Sequence, residues 1–99
     1  MTKSEIRNEL LISIQRALWG IIYPSIRSIA VGFDGLKKLE VIFYLDREPT
    51  QNDYELISEV TTEVCADIHF IEVKESCIFT NEPFCNLDRL TTWVYMRKE

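Results

Sequence analysis

Ile6, Leu10, Ile14 and Leu18 recur every four residues near the start of the chain, and Leu11, Ala17 and Ile21 widen the stripe. That spacing gathers apolar side chains on one face of a helix. Thr2 and Glu5 have the spacing of a capping box, which satisfies the free amides of a first turn. Gly20 suits the left-handed conformation that ends a helix, and Pro24 bars its resumption. The pattern predicts a first helix from Lys3 to Trp19.

From Ser25 the period changes to two. Ile29, Val31 and Phe33 share one face of a strand that ends at Asp34-Gly35, a hairpin signal. Leu39, Val41, Phe43 and Leu45 share one face of a second strand, from Lys38 to Asp46. A two-residue turn would set Val31 against Lys38. A three-residue loop, Asp34-Gly35-Leu36, sets Val31 against Leu39 and Ile29 against Val41. Because a one-residue slip inverts every side chain, the three-residue loop is expected. Pro49 stops the ladder, and Thr50 with Asp53 caps a second helix from Gln51 to Ala66. Its inward stripe is Ile57, Val60, Thr61 and Val64, and its outward face is Glu55, Glu59, Thr62 and Glu63. A third strand is expected from Ile68 to Phe79, with a change of phase near Phe70-Ile71, then a loop at Thr80-Asn81-Glu82-Pro83. A fourth runs from Leu90 to Arg97, with Trp93 and Tyr95 together on one face.

The order α-β-β-α-β-β predicts an α+β fold: a four-stranded antiparallel sheet with both helices packed on one face. Ile42, Tyr44, Trp93 and Tyr95 are expected on the opposite face, where exposure would make them a rival interface.

Ninety-nine residues make a single domain, 1–99, and the 46% hydrophobic fraction is enough for one core. No apolar run approaches the roughly 20 residues that span a bilayer. The stretch from Met1 to Glu9 lacks the apolar region of a secretory signal, so residence in the cytoplasm is expected. Three cysteines, Cys65, Cys77 and Cys85, form neither an even disulfide framework nor a zinc-ligand spacing.

Charge changes the picture more than composition does. Residues 46–75 hold nine acidic and two basic side chains, a net of −7, against +2 before them and zero after. The formal total is −5, with a pI near 4.9, which disfavours nucleic acid and anionic membranes and favours a basic protein partner. Glu55, Glu59 and Glu63 lie four apart and Asp67 continues the series. Like charges so spaced on a helix cost about 0.2–0.5 kcal/mol per pair. Two readings stand: an ordinary solvated helix surface, or a docking face for a cationic protein, possessing the charge to imitate a phosphate backbone before a nuclease. On the second reading Glu55, Glu59, Glu63 and Asp67 are the contact residues, with Asp46, Glu48 and Glu72 secondary. Tyr44, Tyr54 and Trp93 are the candidate aromatic anchors.

Catalytic chemistry has little to stand on. His69 is the single histidine, and no nucleophile or orienting group is placed for it, although Cys77 follows eight residues later. Gly20, Gly32 and Gly35 have turn or strand explanations rather than a phosphate loop. Asp46 and Glu48 read as a solvated strand end. No catalytic residue, metal ligand or cofactor is assigned, and no enzyme is expected.

The blocks Ile22-Tyr23-Pro24-Ser25-Ile26-Arg27-Ser28-Ile29-Ala30-Val31, Tyr44-Leu45-Asp46-Arg47-Glu48-Pro49-Thr50, Glu75-Ser76-Cys77-Ile78-Phe79 and Val94-Tyr95-Met96-Arg97-Lys98-Glu99 resemble those of small immunity proteins from contact-dependent growth inhibition systems. The resemblance implies a cytoplasmic protein without catalysis or cofactor. It would bind the C-terminal domain of its cognate toxin, often a nuclease, one to one, blocking the active site or a surface the toxin needs. It supplies no contact motif, so the contact residues rest on charge alone. The alternative is a small regulatory or metabolite-binding domain without catalysis. An apolar cleft between helix and sheet, or a dimer through Trp93 and Tyr95, would mark it.

Overall fold

The computed structural model describes residues 2–99. The first apolar stripe forms helix α1, Lys3–Leu18, whose Ile6, Leu10, Ile14, Ala17 and Leu18 are buried. Thr2 caps it, its hydroxyl accepting the Glu5 amide at 3.2 Å and donating to the Glu5 carboxylate at 3.1 Å. Gly20, at φ +80, takes the left-handed conformation just beyond the helix.

Strand β1, Ile26–Asp34, and strand β2, Lys38–Leu45, form the expected hairpin in a different register. Val31 pairs with Val41, Ile29 with Phe43 and Phe33 with Leu39. The three-residue loop is Gly35-Leu36-Lys37 rather than Asp34-Gly35-Leu36. It is closed by Lys37 N–H donating to Asp34 O at 2.9 Å, with Gly35 at φ +54. The shift moves each pairing by two positions. It therefore keeps every side chain on its predicted face, which is why hydrophobic matching alone could not separate the two registers.

Helix α2, Gln51–Asp67, buries Ile57, Val60, Thr61 and Val64 and ends one residue later than its pattern predicts. Strand β3, Glu72–Phe79, begins four residues later than expected, because 68–71 is a connection rather than ladder. A short 3-10 turn at Phe84–Asn86 precedes strand β4, Thr92–Met96.

The sheet order is β3-β2-β1-β4, and it is not purely antiparallel. β1 is antiparallel to both β2 and β4, but β3 runs parallel to β2. The cause is α2. The helix carries the chain back along the sheet, so β3 sets out from the same end as β2, as in any strand–helix–strand crossover. Tight turns do not join β3 to β4. Residues 80–91 instead cross from one edge of the sheet to the other.

Both helices lie on one face, as expected, over Ile29, Val31, Leu39, Val41, Phe43, Leu45 and Cys77. The crossing segment covers the other face. There Ala30, Ile42 and Tyr44 are buried beneath Leu87, Leu90 and Trp93. Tyr44 donates its hydroxyl to Asp88 O at 2.8 Å, and Trp93 meets both Tyr44 and Phe84 edge-on. Leu90, at φ 53, sits so close to Gly32 that a Cβ there would lie 2.9 Å from the Leu90 Cβ. The apolar patch foreseen at Ile42, Tyr44, Trp93 and Tyr95 is therefore not an open surface. Tyr95 does not belong to it: a shift in the β1–β4 ladder between Ile29 and Ala30 turns Tyr95 towards the helix side.

One polar cluster sets the position of α2. Asp53, fully buried, accepts five hydrogen bonds: two from the Arg47 guanidinium (2.7 and 3.0 Å), two from the Thr50 amide and hydroxyl (2.7 and 3.1 Å), and one from the Tyr23 hydroxyl. The guanidinium, before all else, holds the Asp53 carboxyl well below the usual carboxylate range, while burial and Asp53 itself push the Tyr23 hydroxyl up. A carboxyl with a lowered folded pKa stabilises the fold at pH values above its unfolded pKa, about 3.9. That contribution disappears as the pH falls from there through the folded value. Asp53→Asn is expected to cost about 3 kcal/mol in urea unfolding at pH 7, since it strips the charge from a paired, buried site. It should also flatten the loss of stability expected of the parent between about pH 5 and 2.

Candidate partner-binding surface

The acidic residues of the segment 46–75 divide into two groups once the chain is folded. Four have internal partners. Asp53 is the buried anchor of α2. Asp46 binds Arg97 at 2.8 Å. Asp67 accepts from Ser13 Oγ at 2.7 Å and from Arg16 at 2.8 Å, across the seam between the helices. Glu75 accepts from Thr61 Oγ1 at 2.8 Å and Ser58 Oγ at 3.3 Å, tying α2 to β3. The remaining five, Glu48, Glu55, Glu59, Glu63 and Glu72, are exposed and have no ion-pair partner among the described residues.

Helical geometry explains why Asp67 parts from the series it continues. With 3.6 residues per turn, each step of four advances the side chain about 40° around the axis. Three steps from Glu55 bring it about 120° round, from the outer face to the side that meets α1. Glu55, Glu59 and Glu63 stay together, and with Gln51, Tyr54, Ser58 and Thr62 they line a shallow surface groove along α2. Tyr54 is shared with a neighbouring depression lined by Glu48, Pro49, Cys77, Ile78 and Phe79. The carboxylates thus adjoin exposed apolar groups: Tyr54 is 47% exposed, Ile78 39% and Phe79 37%. Glu72 stands at the end of β3 opposite Ile78 and Phe79, and Asp46, just past β2, is bound to Arg97; neither lines either depression.

Of the three aromatic anchors foreseen, Tyr54 alone lies beside the acidic face. Tyr44 is buried and Trp93 is packed against it. Ile78 and Phe79 were missed because β3 was read as a strand of mixed phase rather than as an exposed sheet edge. Alternation within Glu72–Phe79, with few apolar residues for a central strand, was the signal available.

His69 is exposed in the α2–β3 connection and has no hydrogen bond to Cys77. Cys77 is buried, and burial above all, then the charges of Asp53 and Glu75, pushes its thiol up to about 12, far from a thiolate nucleophile at neutral pH. Among the described residues no three His, Cys, Asp or Glu side chains are grouped to hold a metal ion. No helix is long and apolar enough to cross a membrane.

A family model described as MafI2 immunity protein matches residues 7–99. No curated protein matches the chain. Among solved structures, a histidine-to-alanine variant of the MamM CTD and an aspartate-to-histidine variant in a copper form each align with a TM-score of 0.51 at 17% identity. Each alignment covers 81% of this chain and 100% of the other. Another copper form of the MamM CTD aligns at 0.50 and 16% identity, over 88% of this chain and 93% of its own. At such identity the likeness concerns the fold alone.

The division of carboxylates has a measurable consequence for stability. Glu59→Gln, which removes the middle of the ladder, is expected to raise the unfolding free energy by about 0.4–1 kcal/mol at low salt, by relieving two like-charge pairs. Asp67→Ala is expected to lower it by about 1 kcal/mol, by releasing Ser13 and Arg16. Urea titrations of both variants at two salt concentrations test the contrast, and the Glu59 gain should shrink as salt rises.

Proposed function

Because the chain belongs to the MafI2 immunity protein family, we propose that it neutralises a cognate toxin by binding the toxin's C-terminal domain one to one in the cytoplasm. The toxin is of the kind that neighbouring cells deliver to one another, as in contact-dependent growth inhibition, and its C-terminal domain is a basic nuclease. The observation that supports this reading is the exposed acidic face of α2. Among the described residues Glu55, Glu59 and Glu63 have no ion-pair partner, and the fold derives no stability from their spacing.

A row of carboxylates on a rigid helix offers fixed negative charge to a cationic cleft. It accelerates encounter and selects partners of complementary potential. Placed before the active site of a nuclease, it occupies ground meant for phosphates and excludes the substrate. Tyr54, with Ile78 and Phe79 beside it, supplies the apolar contact that charge alone does not. Glu48 rims the same depression. Glu72, Asp46 and Asp67 contribute through the general field, the last two already sharing their charge with Arg97 and Arg16.

Co-purification with the C-terminal domain of the toxin encoded beside this chain tests the role itself. A triple reversal, Glu55→Lys, Glu59→Lys and Glu63→Lys, tests the face. It is expected to weaken binding by a factor of a hundred or more, about 1 kcal/mol per position, and to reduce the salt dependence of the association rate. Unchanged affinity and unchanged salt dependence would remove α2 from the interface while leaving the neutralising role intact.

A further inference from the structure

The sheet has one long unpaired edge. Among the described residues β3 pairs with β2 alone, in register over all eight of its residues, and no strand lies on its other side. The bonds at its ends show which groups are free. Glu72 donates its amide to Lys37 O at 2.9 Å and Thr80 donates to Leu45 O at 3.1 Å. Backbone groups alternate sides along a strand, so the even-numbered residues face β2. The amides and carbonyls of Val73, Glu75, Cys77 and Phe79 therefore point outward along the open edge.

Natural sheets shield such edges with short strands, prolines, bulges, a covering loop or charged side chains. Of these β3 has only the charges of Glu72, Lys74 and Glu75. Its ladder to β2 is regular, its interior has no proline, and the crossing segment 80–91 leaves it for the far side of the sheet. Val73, Ile78 and Phe79 are all more than a third exposed. The other edge is different: β4 has five residues, and a ladder shift interrupts its pairing with β1.

We propose that the open edge of β3 receives an extended segment of a cationic protein partner as a fifth strand, the positive side chains of that segment meeting Glu48, Glu55 and Glu72 around the edge. The proposal rests on the toxin-neutralising reading and adds to it the mode of recognition. Charge complementarity selects the occupant. α2 lies over β3, joined to it by Ser58 and Thr61 on Glu75. Glu55 adjoins Tyr54 and Ser58 on that side, Glu48 lines the depression at one end of the edge and Glu72 stands at the other, while Glu59 and Glu63 turn towards α1. A strand of Lys or Arg alternating with apolar residues satisfies backbone, carboxylates and the Tyr54–Ile78–Phe79 depression together. A second copy of this chain fits poorly. Edge-to-edge pairing about a two-fold axis would bring together the Glu48, Glu55 and Glu72 carboxylates of two copies, with Lys74 the one basic side chain of each β3.

Residue-by-residue amide exchange by NMR, on the chain alone and with the neighbouring toxin domain bound, reads the proposal directly. In the free chain the amides of Lys74, Ser76 and Ile78 should be protected and those of Val73, Glu75, Cys77 and Phe79 should exchange faster. Binding should slow the odd-numbered set by tenfold or more and leave the even set nearly unchanged. Val73→Pro, which removes one outward amide without touching the β2 ladder, should weaken binding about tenfold, the worth of one backbone hydrogen bond. Val73→Ala should bind far closer to the parent. A complex that forms and neutralises the toxin while the odd-numbered amides stay unprotected would overturn the edge proposal alone. Protection of those amides in the free chain that grows with its own concentration would overturn it too, in favour of self-pairing. Failure to form any complex would overturn the toxin-neutralising reading beneath it.

Discussion

A single buried carboxylate holds the architecture in place. Asp53 is the third residue of α2, yet its partners lie on three other parts of the chain: Tyr23 before β1, Arg47 after β2, and Thr50 at the helix start. Without that convergence the turn from β2 into α2 would lose its fixed angle. The helix must leave that turn at one inclination to lie over β3 and to return the chain for parallel pairing. A charge with no exposure is tolerated only when its lone pairs are filled, and here five donors fill them. Arginines perform a similar office beside it, at the same end of the sheet. Arg27, 5% exposed beneath Phe84, binds Glu99 and Thr80 O, and Arg97 joins Glu99, Asp46 and Pro24 O. The paired hydrogen bonds from the Arg27 guanidinium, with a further one from Arg97, take the Glu99 carboxyl down to about 2.

Local pattern was a sound guide wherever one element decided its own structure. The stripes of α1 and α2, the stop at Gly20, the hairpin and the common face of both helices were all legible from spacing. Relations between distant elements were not. Parallel pairing of β3 with β2 follows from the path of α2, and no periodicity records a path. The register of the hairpin escaped because two pairings kept the same faces. The second face of the sheet was misjudged for a similar reason: the residues that cover it, Leu87 and Leu90, stand in a stretch with no regular period.

The acidic segment was legible as a charge excess but not as a surface. Sequence counts charges, while the fold decides which are spent internally. Asp53, whose spacing reads as a helix cap, is also the deepest ion-pair partner in the chain. Asp67 extends a perfect i+4 series and still turns to meet α1, because 3.6 does not divide by four. Once Asp46, Asp53, Asp67 and Glu75 are withdrawn, the outward carboxylates are fewer and more coherent: a row on α2, with Glu48 and Glu72 flanking it.

That separation bears on how such a protein can diversify. The side chains at positions 55, 59 and 63 are exposed and enter no ion pair or side-chain hydrogen bond among the described residues, so exchanging them costs little folding free energy. Asp53 and Gly32 have no such latitude, the one for its donors and the other for the 2.9 Å approach of Leu90. A chain built this way can explore new partners by surface substitution while its scaffold stays above the stability threshold. On the proposed reading, a toxin that alters its own basic surface is followed by a few changes on one helix.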